Sequence, residues 1–205
     1  MLQQLAPAFR MTVLITVLTG LIYPGVVTGA CQLLFKTKAD GSLIQQNGRI
    51  VGSSLLGQNF TRAGYFHPRP SAAGDQGYDP LASQGSNLGP TSRKLYERIR
   101  ASSAQFRKEN PSYRGPIPAD AVTASASGLD PHISIQNARA QAARVAEARG
   151  VGVPAVEALI ARKTEGRALG IFGEPRVNVL ELNLELDSKF AKHASGSGAS
   201  AHTLN

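Results

Sequence analysis

The side chains that could catalyse a reaction lie in irregular segments of the sequence. Two histidines, His67 and His132, and two acids, Asp79 and Asp130, could be combined on paper with one of several serines. A histidine that removes the serine proton, oriented by a carboxylate, is the arrangement of a serine hydrolase. Any chain of this length offers such sets, and the spacing usual for nucleophilic catalysis is missing. A membrane-anchored extracytoplasmic hydrolase is therefore kept only as the alternative function.

Three common motifs with known chemistry are absent from the sequence. The sequence has no Gly-x-x-x-x-Gly-Lys-Ser/Thr phosphate loop, no Asp-Lys-Thr-Gly phosphorylation site and no Gly-x-Ser-x-Gly nucleophile elbow. The histidines lack the paired spacing of a metal site. Cys31 is the only cysteine and lies in an apolar run, so the rest of the chain has neither a disulfide nor a thiolate metal site. We predict no catalytic residue and no metal site, and no cofactor-binding residue is identified.

The chain carries 22 Lys and Arg against 14 Asp and Glu, a net charge of +8. Such a charge raises nucleic acid or anionic lipid as partners. The one basic stripe is Arg93, Arg100 and Arg107, which recur every seven residues on one side of a predicted helix. This pattern is typical of a solvated helix face; contact with lipid phosphates or an acidic partner is the alternative, and nucleic acid is not favoured.

Residues Met11 to Phe35 form an apolar run of 25 residues without a formal charge. As a helix it would be roughly 37 Å long, and the hydrocarbon core of a bilayer is about 30 Å thick. A cleaved signal peptide has a shorter apolar run of roughly 7 to 15 residues. Thr28 to Cys31 faintly resembles a lipoprotein cleavage site, but Thr28 stands where a larger aliphatic residue is expected. We predict an uncleaved transmembrane helix over residues 11–35, preceded by an N-terminal tail, residues 1–10.

The middle of this run is interrupted by Tyr23, Pro24 and Gly25. Proline removes one backbone donor and bends a helix. The bend is either a tolerated kink or the shape of a helix that packs against other membrane helices. In the second case Gly20, Gly25 and Gly29 would provide small-residue contacts.

The remaining elements follow from local patterns. Asn47-Gly48 between two short apolar segments, residues 42–46 and 49–52, predicts a β-hairpin with a type I′ turn. Thr91 or Ser92 should cap a helix that runs to about residue 108. Ser134 should cap a second helix that Gly150 ends, and Pro154 should open a third. Alternation from Val177 to Leu186 predicts a strand with a bulge between residues 179 and 180.

Residues 64–90 show neither a helical nor a strand period, yet they contain Tyr65, Phe66 and Tyr78. A long irregular segment with aromatic residues is typical of a structured contact loop. The Ser-, Gly- and Ala-rich tail, residues 191–205, is predicted to be disordered. The fold class is α+β: one N-terminal transmembrane helix followed by a single mixed α+β domain, residues 36–190.

Several motifs of the chain are long and unusual: Gly52 to Phe60, Gly64 to Ala72, Ser86 to Pro90, Val122 to Ser134, Arg144 to Arg149 and Val177 to Leu184. Together they resemble the C subunit of the high-affinity Kdp potassium-transporting ATPase of bacteria. One departure is Gln84, where the family tends to have glycine, which argues against a glycine-dependent nucleotide contact in this loop.

The resemblance implies a non-catalytic, single-pass subunit of a four-subunit potassium pump in the bacterial inner membrane. Its partners would be a channel-like potassium-conducting subunit, a P-type ATPase subunit and a small hydrophobic subunit. The N-terminus would be cytoplasmic and the folded domain extracytoplasmic, although the positive charges that flank the helix, at Arg10 and at Lys36 and Lys38, nearly balance. The family is also described as a catalytic chaperone that raises the ATP affinity of the ATPase subunit, so ATP would be shared with that subunit. The candidate subunit-contact residues are Gly20, Tyr23, Pro24, Gly25, Gly29, Tyr65, Phe66, His67, Arg69, Ser86 and Asn87.

Overall fold

The structure is a computed structural model that describes residues 2–190. The tail predicted to be disordered, residues 191–205, lies outside the described residues. The chain divides into two compact units, one up to Ser53 and the other from Ser54 onward. The first unit thus includes the hairpin, whereas the sequence analysis begins the folded domain at residue 36.

The first unit begins with a long apolar helix in three parts: α1 (Leu2–Val17), a π-helical turn (Leu18–Ile22) and α2 (Tyr23–Leu34). Within it Gln4–Leu34, 31 residues, is long and apolar enough to cross a membrane, and none of its most apolar stretch is buried. The helix therefore includes most of the segment that the sequence analysis treats as an N-terminal tail. Two threonines return their hydroxyls to the carbonyl four residues earlier, Thr12 to Ala8 at 2.9 Å and Thr19 to Ile15 at 2.7 Å.

The π-helical turn lies directly before Pro24. The N–H of Tyr23 donates to the carbonyl of Leu18, five residues earlier. Pro24 has no N–H to donate, and its ring would clash with the carbonyl of Gly20 in a regular α-helix. A widened turn relieves this clash without breaking the helix. The interruption predicted at this point is thus a local change of helix type.

A short helix, α3 (Lys36–Ala39), leads into the hairpin of β1 (Leu43–Gln46) and β2 (Arg49–Ser53). The strands are antiparallel, with a register shift between Ile44 and Gln45. Asn47 and Gly48 both have positive φ, 53° and 75°. A type I′ turn requires positive φ at both central positions, so the predicted hairpin is confirmed.

Up to residue 190, the second unit contains four α-helices and one short 3-10 helix, Ala119–Ala121. The α-helices are α4 (Arg93–Glu109), α5 (Ile135–Arg149), α6 (Val153–Arg162) and α7 (Val179–Phe190). Ser92 and Ser134 cap α4 and α5, because their hydroxyls accept the N–H groups of Leu95 and Asn137. Gly150 ends α5 in a left-handed conformation with φ 64°. These predicted helix ends are confirmed.

Three short antiparallel strands form the sheet of this unit: β3 (His132–Ser134), β4 (Thr164–Glu165) and β5 (Arg176–Asn178), with β5 in the centre. Helices packed with a small antiparallel sheet confirm the α+β class.

The predicted strand from Val177 to Leu186 is wrong beyond Asn178, where α7 begins. The side chain of Asn178 accepts the N–H of Glu181 at 3.2 Å and so caps the helix. Val179, Leu182 and Leu186 have helical spacing, and all are at most 2% exposed. The break in alternation between residues 179 and 180 therefore marks a strand-to-helix transition and not a bulge.

The core of this unit lies between α5, α6, α7 and the sheet. The predicted small-residue face of α5 packs here, with Ala138, Ala142 and Val145 at most 1% exposed. Phe66 is the only fully buried aromatic side chain among the described residues, and it comes from the irregular segment. The core thus anchors a segment that has no regular structure of its own.

Candidate functional site

Residues 54–92 contain no helix or strand, yet two side-chain amides hold their centre in place. The N–H of Phe66 donates to Oδ1 of Asn183 at 2.8 Å, and Nδ2 of Asn183 donates to the carbonyl of Phe66 at 3.0 Å. In the same way, the N–H of His67 donates to Oε1 of Gln141 at 2.8 Å, and Nε2 of Gln141 donates to the carbonyl of His67 at 3.1 Å. Each amide replaces the partner strand that a β-ladder would supply. We call Asn183 and Gln141 the amide clamp.

The clamp residues come from two different helices, Asn183 from α7 and Gln141 from α5. Both are nearly inaccessible, at 1% and 2% exposed. Gln141 is itself oriented by Asn137, whose Oδ1 accepts from Nε2 of Gln141 at 2.9 Å. Asn137 in turn donates to Asp120 at 3.0 Å. Buried amides with all partners in place fix one conformation of the segment.

The imidazole of His67 lies between the carboxylate of Glu109 and the guanidinium of Arg144. Its Nδ1 is 3.1 Å from Oε2 of Glu109 on α4. Its Nε2 is 3.1 Å from the carbonyl of Arg62 and 3.3 Å from Nη1 of Arg144 on α5. With a proton on Nδ1, the ring donates to Glu109 and accepts from Arg144. With a second proton on Nε2, the ring would donate to Arg62 but face the guanidinium of Arg144.

The surroundings of His67 favour its neutral form. Burial lowers the pKa of His67, the positive charge of Arg144 lowers it further, and hydrogen bonds to Arg62 and Glu109 oppose the change only in part. Burial also lowers the pKa of Arg144 to about 10, against the charge of Glu109. Arg144 therefore remains charged at neutral pH and disfavours a second charge on the ring.

Arg144 joins α5 to the loop and to the end of α4. Its guanidinium donates to the carbonyls of Ala63 at 2.6 Å and Tyr65 at 3.0 Å. It also donates to Oδ1 of Asn110 at 3.0 Å and to Oε1 of Gln141 at 2.6 Å. One side chain thus satisfies two loop carbonyls and orients one clamp amide.

A second cationic side chain, Arg149, supports the loop from the last residue of α5. It is 4% exposed, donates from Nε to the carbonyl of Gly64 at 2.8 Å and lies over the ring of Tyr65 at 4.6 Å. It pairs with Asp187 on α7 at 2.8 Å, and Asp187 also accepts from the hydroxyl of Tyr65 at 3.0 Å. Burial and the negative charge of Asp187 raise the pKa of the Tyr65 phenol.

Arg69 fixes the next part of the loop to the turn before β3. Its guanidinium pairs with Asp130 at 2.9 Å, and its backbone carbonyl accepts from the hydroxyl of Tyr78. Burial alone would raise the pKa of Asp130, but hydrogen bonds from His132 and Arg69 outweigh it and lower this pKa. Burial and the charge of Asp130 raise the pKa of Tyr78. Asp130 is thus ionised and Tyr78 protonated at neutral pH.

A cleft of about 650 Å³ lies between this loop and the helices α4 and α5. His67, Glu109 and Gln141 line it together with Arg69 and Ser71. The hydroxyl of Ser71 is fully used, since it donates to the carbonyl of Gly128 at 2.7 Å and accepts the N–H groups of Ala73 and Tyr78. Ser71, Arg69 and Gln141 thus use their polar groups to hold the loop.

The hydrolase alternative gains no support from this geometry. Within residues 2–190, the ring nitrogens of His67 lie beside Glu109, Arg62 and Arg144. His132 lies 3.5 Å from Asp130 and 3.9 Å from Glu165. In the same described part of the chain, no group of three His, Cys, Asp or Glu side chains could hold a metal ion.

The candidate contact residues separate into two sets. Tyr65, Phe66, His67 and Arg69 lie together in the clamped loop, while Ser86 is half-buried and Asn87 exposed further along. Phe66 is packed inside the core at 0% exposure, so its side chain stabilises the loop and offers no surface.

The other set lies on the apolar helix. Gly20 is in the π-helical turn, and Tyr23, Pro24, Gly25 and Gly29 are in α2. A Cβ built on Gly20, Gly25 or Gly29 meets no atom within 4 Å. The glycines therefore leave open space on the helix surface, which is where another helix could approach. The contact role of both sets stays a prediction.

The sequence analysis missed the clamp, Arg144 as a loop ligand and the Arg149–Asp187 pair. One signal was available on α5, where Asn137, Gln141 and Arg144 follow each other at spacings of four and three beside the small-residue face. A polar row next to a buried face indicates side chains that bind another segment. Nothing local marks Asn183, because its partner lies 117 residues away.

The chain is similar to known proteins over most of its length. A family model described as "KdpC: K+-transporting ATPase, c chain" matches residues 5–188. The "Potassium-transporting ATPase KdpC subunit" of Myxococcus xanthus is 60% identical over 184 residues, which cover 89% of this chain and 87% of that protein. The proteins of the same name from Gemmatimonas aurantiaca and Nitratidesulfovibrio vulgaris are 55% and 53% identical, over 95% and 96% of this chain and 98% and 100% of theirs.

Proposed function

Because the chain belongs to the KdpC family, the c chains of K+-transporting ATPases, we propose that it stabilises the assembled pump through its helix and its folded domain. It is an accessory subunit and not the catalytic one. The proposed partners are a channel-like potassium-conducting subunit, a P-type ATPase subunit and a small hydrophobic subunit.

The observation that carries the proposal is the exposed apolar surface of the N-terminal helix. Large apolar side chains along it are from 41% to 86% exposed, among them Val17, Leu21, Val27 and Leu33. Such a surface needs a lipid or protein environment. Lipid alone would satisfy it, but Gly20, Gly25 and Gly29 each leave room for a close neighbour, and Gly25 and Gly29 have the spacing of one helix face. The helix thus has the features of a membrane anchor that also packs against other helices.

The second support is the rigidity of the domain. An irregular loop is held in one conformation by the amide clamp, Arg144 and Arg149. Without these contacts, ordering the loop on binding would lose much conformational entropy. A loop that is ordered before it meets a partner suits a permanent contact. His67 and Arg69, which lie in this loop, are the residues proposed to face another subunit.

The proposed topology places the N-terminus in the cytoplasm and the domain outside it, as the family resemblance implies. The resemblance also implies a catalytic chaperone role that raises the ATP affinity of the ATPase subunit. With the domain on the opposite side of the membrane from ATP, this effect would have to pass through the helix and the other subunits. We propose no ATP-binding residue in this chain, and ATP would be bound by the ATPase subunit.

The experiment is co-purification after mild detergent extraction, with an affinity tag on this chain and the other subunits expressed beside it. We expect the potassium-conducting and ATP-hydrolysing subunits in the eluate in a constant ratio to the tagged chain. A tagged single-pass membrane protein of another family is the control for non-specific recovery. Recovery of this chain alone, under conditions in which the other subunits remain folded and soluble in detergent, would overturn the proposal.

A further inference from the structure

Three large apolar side chains project from the connection between β4 and β5. Leu169 is 88% exposed, Ile171 73% and Phe172 65%. We call these three residues the apolar tip. Contiguous apolar side chains at such exposure are uncommon on a folded domain and mark contact surfaces.

The apolar tip is held by its own backbone. Ala168 and Phe172 exchange two hydrogen bonds, at 2.8 and 2.9 Å. The turn between them contains Leu169 and Gly170 at positive φ, 53° and 76°. A leucine rarely adopts positive φ, so the turn presents this side chain at a cost in backbone strain. At the base, Arg167 donates to both carboxylate oxygens of Glu174, at 2.8 and 2.9 Å. The tip is therefore shaped before it meets a partner, which lowers the entropy lost on binding.

The charges around the tip balance. Four cations lie near it in sequence, and each is within 4 Å of one carboxylate: Arg162 with Glu185, Lys163 with Glu181, Arg167 with Glu174, and Arg176 with Glu165. Attraction to an anionic lipid surface needs cations in excess of acids. A locally neutral rim around an apolar centre instead matches the composition of a protein interface.

The exposed area of the apolar tip indicates whether its partner is a second copy of this chain or a different subunit. Its three side chains expose on the order of 400 Å², against about 800 Å² per partner in a stable interface. The tip alone is too small to hold a dimer of this chain. It is large enough to add a contact within an assembly that a membrane helix already holds at high effective concentration.

We infer that the apolar tip inserts into an apolar recess on the extracytoplasmic surface of another subunit of the K+-transporting ATPase. The inference rests on the proposed function, because it requires the assembly and the side of the membrane proposed there. It adds a further attachment point in the domain to the two already proposed, on the helix and in the clamped loop.

The test is site-specific photo-crosslinking in the assembled complex. A benzophenone amino acid replaces Phe172 in one preparation and Leu81, which is 96% exposed, in the control preparation. After irradiation, mass spectrometry identifies the chain joined to the probe. We expect an adduct with another subunit from position 172 and at least a tenfold smaller yield from position 81. An adduct with a second copy of this chain, with lipid or with nothing, or equal yields from both positions, would overturn the inference.

A second variant distinguishes failure of the inference from failure of the proposed function. Leu169→Ser, Ile171→Ser and Phe172→Ser together should leave the melting curve of the full chain unchanged but reduce retention of the other subunits in stringent detergent washes, by roughly tenfold. If the unmodified chain retains no subunits, the proposed function fails. If the unmodified chain retains them and the triple variant retains them equally, only the inference fails.

Discussion

The side-chain amide of Asn183 on α7 hydrogen-bonds both backbone groups of Phe66, 117 residues earlier in the chain, at 2.8 and 3.0 Å. Phe66 is 0% exposed and Asn183 1%. One side chain thus provides the backbone pairing of a loop residue whose ring fills the core. Packing and hydrogen bonding act at the same point, so the loop cannot leave without exposing the ring and breaking both bonds.

The first prediction concerns this bond pair. Asn183→Leu keeps the approximate volume but leaves the N–H and the carbonyl of Phe66 buried without a partner. At about 1 to 3 kcal/mol for each of the two unsatisfied groups, we expect the free energy of unfolding to fall by about 2 to 6 kcal/mol. Urea unfolding of the full chain in detergent, followed by far-ultraviolet circular dichroism, measures the change. Asn59→Leu, at an exposed position, is the matched control; an equally small effect of both substitutions would contradict the clamp.

The second prediction concerns pH. The pKa of His67 is lowered in the folded chain from its ordinary value of 6.5, by burial and by Arg144. The unfolded chain therefore binds more protons at His67 than the folded chain does. The stability contributed by the neutral ring is present above pH 6.5, the ordinary pKa of histidine, and is lost as the pH falls below it. His67→Gln cannot titrate, so the variant should lose less stability than the parent between about pH 7 and about pH 5. Parallel curves for the two proteins, in thermal melts over this range, would show that His67 does not contribute.

The third prediction compares a partly buried ion pair, in which Arg149 is buried and Asp187 is 37% exposed, with an exposed one. Asp187→Ala leaves Arg149, which is 4% exposed, without its carboxylate and Tyr65 without an acceptor. We expect a loss of about 2 to 4 kcal/mol in the free energy of unfolding. Glu97→Ala removes the partner of Arg93 on the exposed face of α4, where the expected loss is about 0.5 kcal/mol or less. The same urea experiment tests both substitutions, and equal losses would show that the Arg149–Asp187 pair has no special role.

A feature of the fold is predictable when the residues that determine it lie close together in the sequence. Asn47-Gly48, Ser92, Ser134 and Gly150 act within four residues, and each occurs as predicted. Such turns and caps are set by the backbone preferences of the residues themselves.

The predicted strand from Val177 failed although a local signal was present. Asn178 and Glu181 have the spacing of a helix cap and its third residue, and the hydrogen bond between them is formed. The spacing of Val179, Leu182 and Leu186 fits a helix. The alternation of apolar residues from Val177 to Leu186 fits a strand equally well. Short apolar runs satisfy both periods, and only the cap distinguishes them.

The site lies beyond local reasoning for a different reason. That residues 64–90 are irregular and structured was predictable from their aromatic residues. Their attachment to Asn183, Gln141 and Arg144 was not, because it is made by side chains that lie 74 to 117 residues away in sequence. No local pattern encodes such a pairing.

The fourth prediction tests the helix surface. Gly25→Leu with Gly29→Leu adds two side chains where the chain itself has open space. The helix should still form and insert, since leucine is a better helix former than glycine and fully compatible with lipid. A neighbouring subunit could no longer approach closely, so we expect the variant to remain in the membrane fraction but to be lost from the co-purified complex. Val27→Leu, two residues from each glycine on a different side of the helix, is the control and should co-purify normally. Intact co-purification of the double variant would reduce the segment to a simple anchor.

The most direct test of the account is to leave this chain out. The other subunits of the K+-transporting ATPase are expressed with and without it, extracted in the same detergent, and measured for potassium-stimulated ATP hydrolysis and for size by gel filtration. We predict that without this chain the complex dissociates and the potassium-stimulated activity falls to background, and that both return when the chain is supplied. Full potassium-stimulated activity in a stable complex that lacks this chain would contradict its role in assembly.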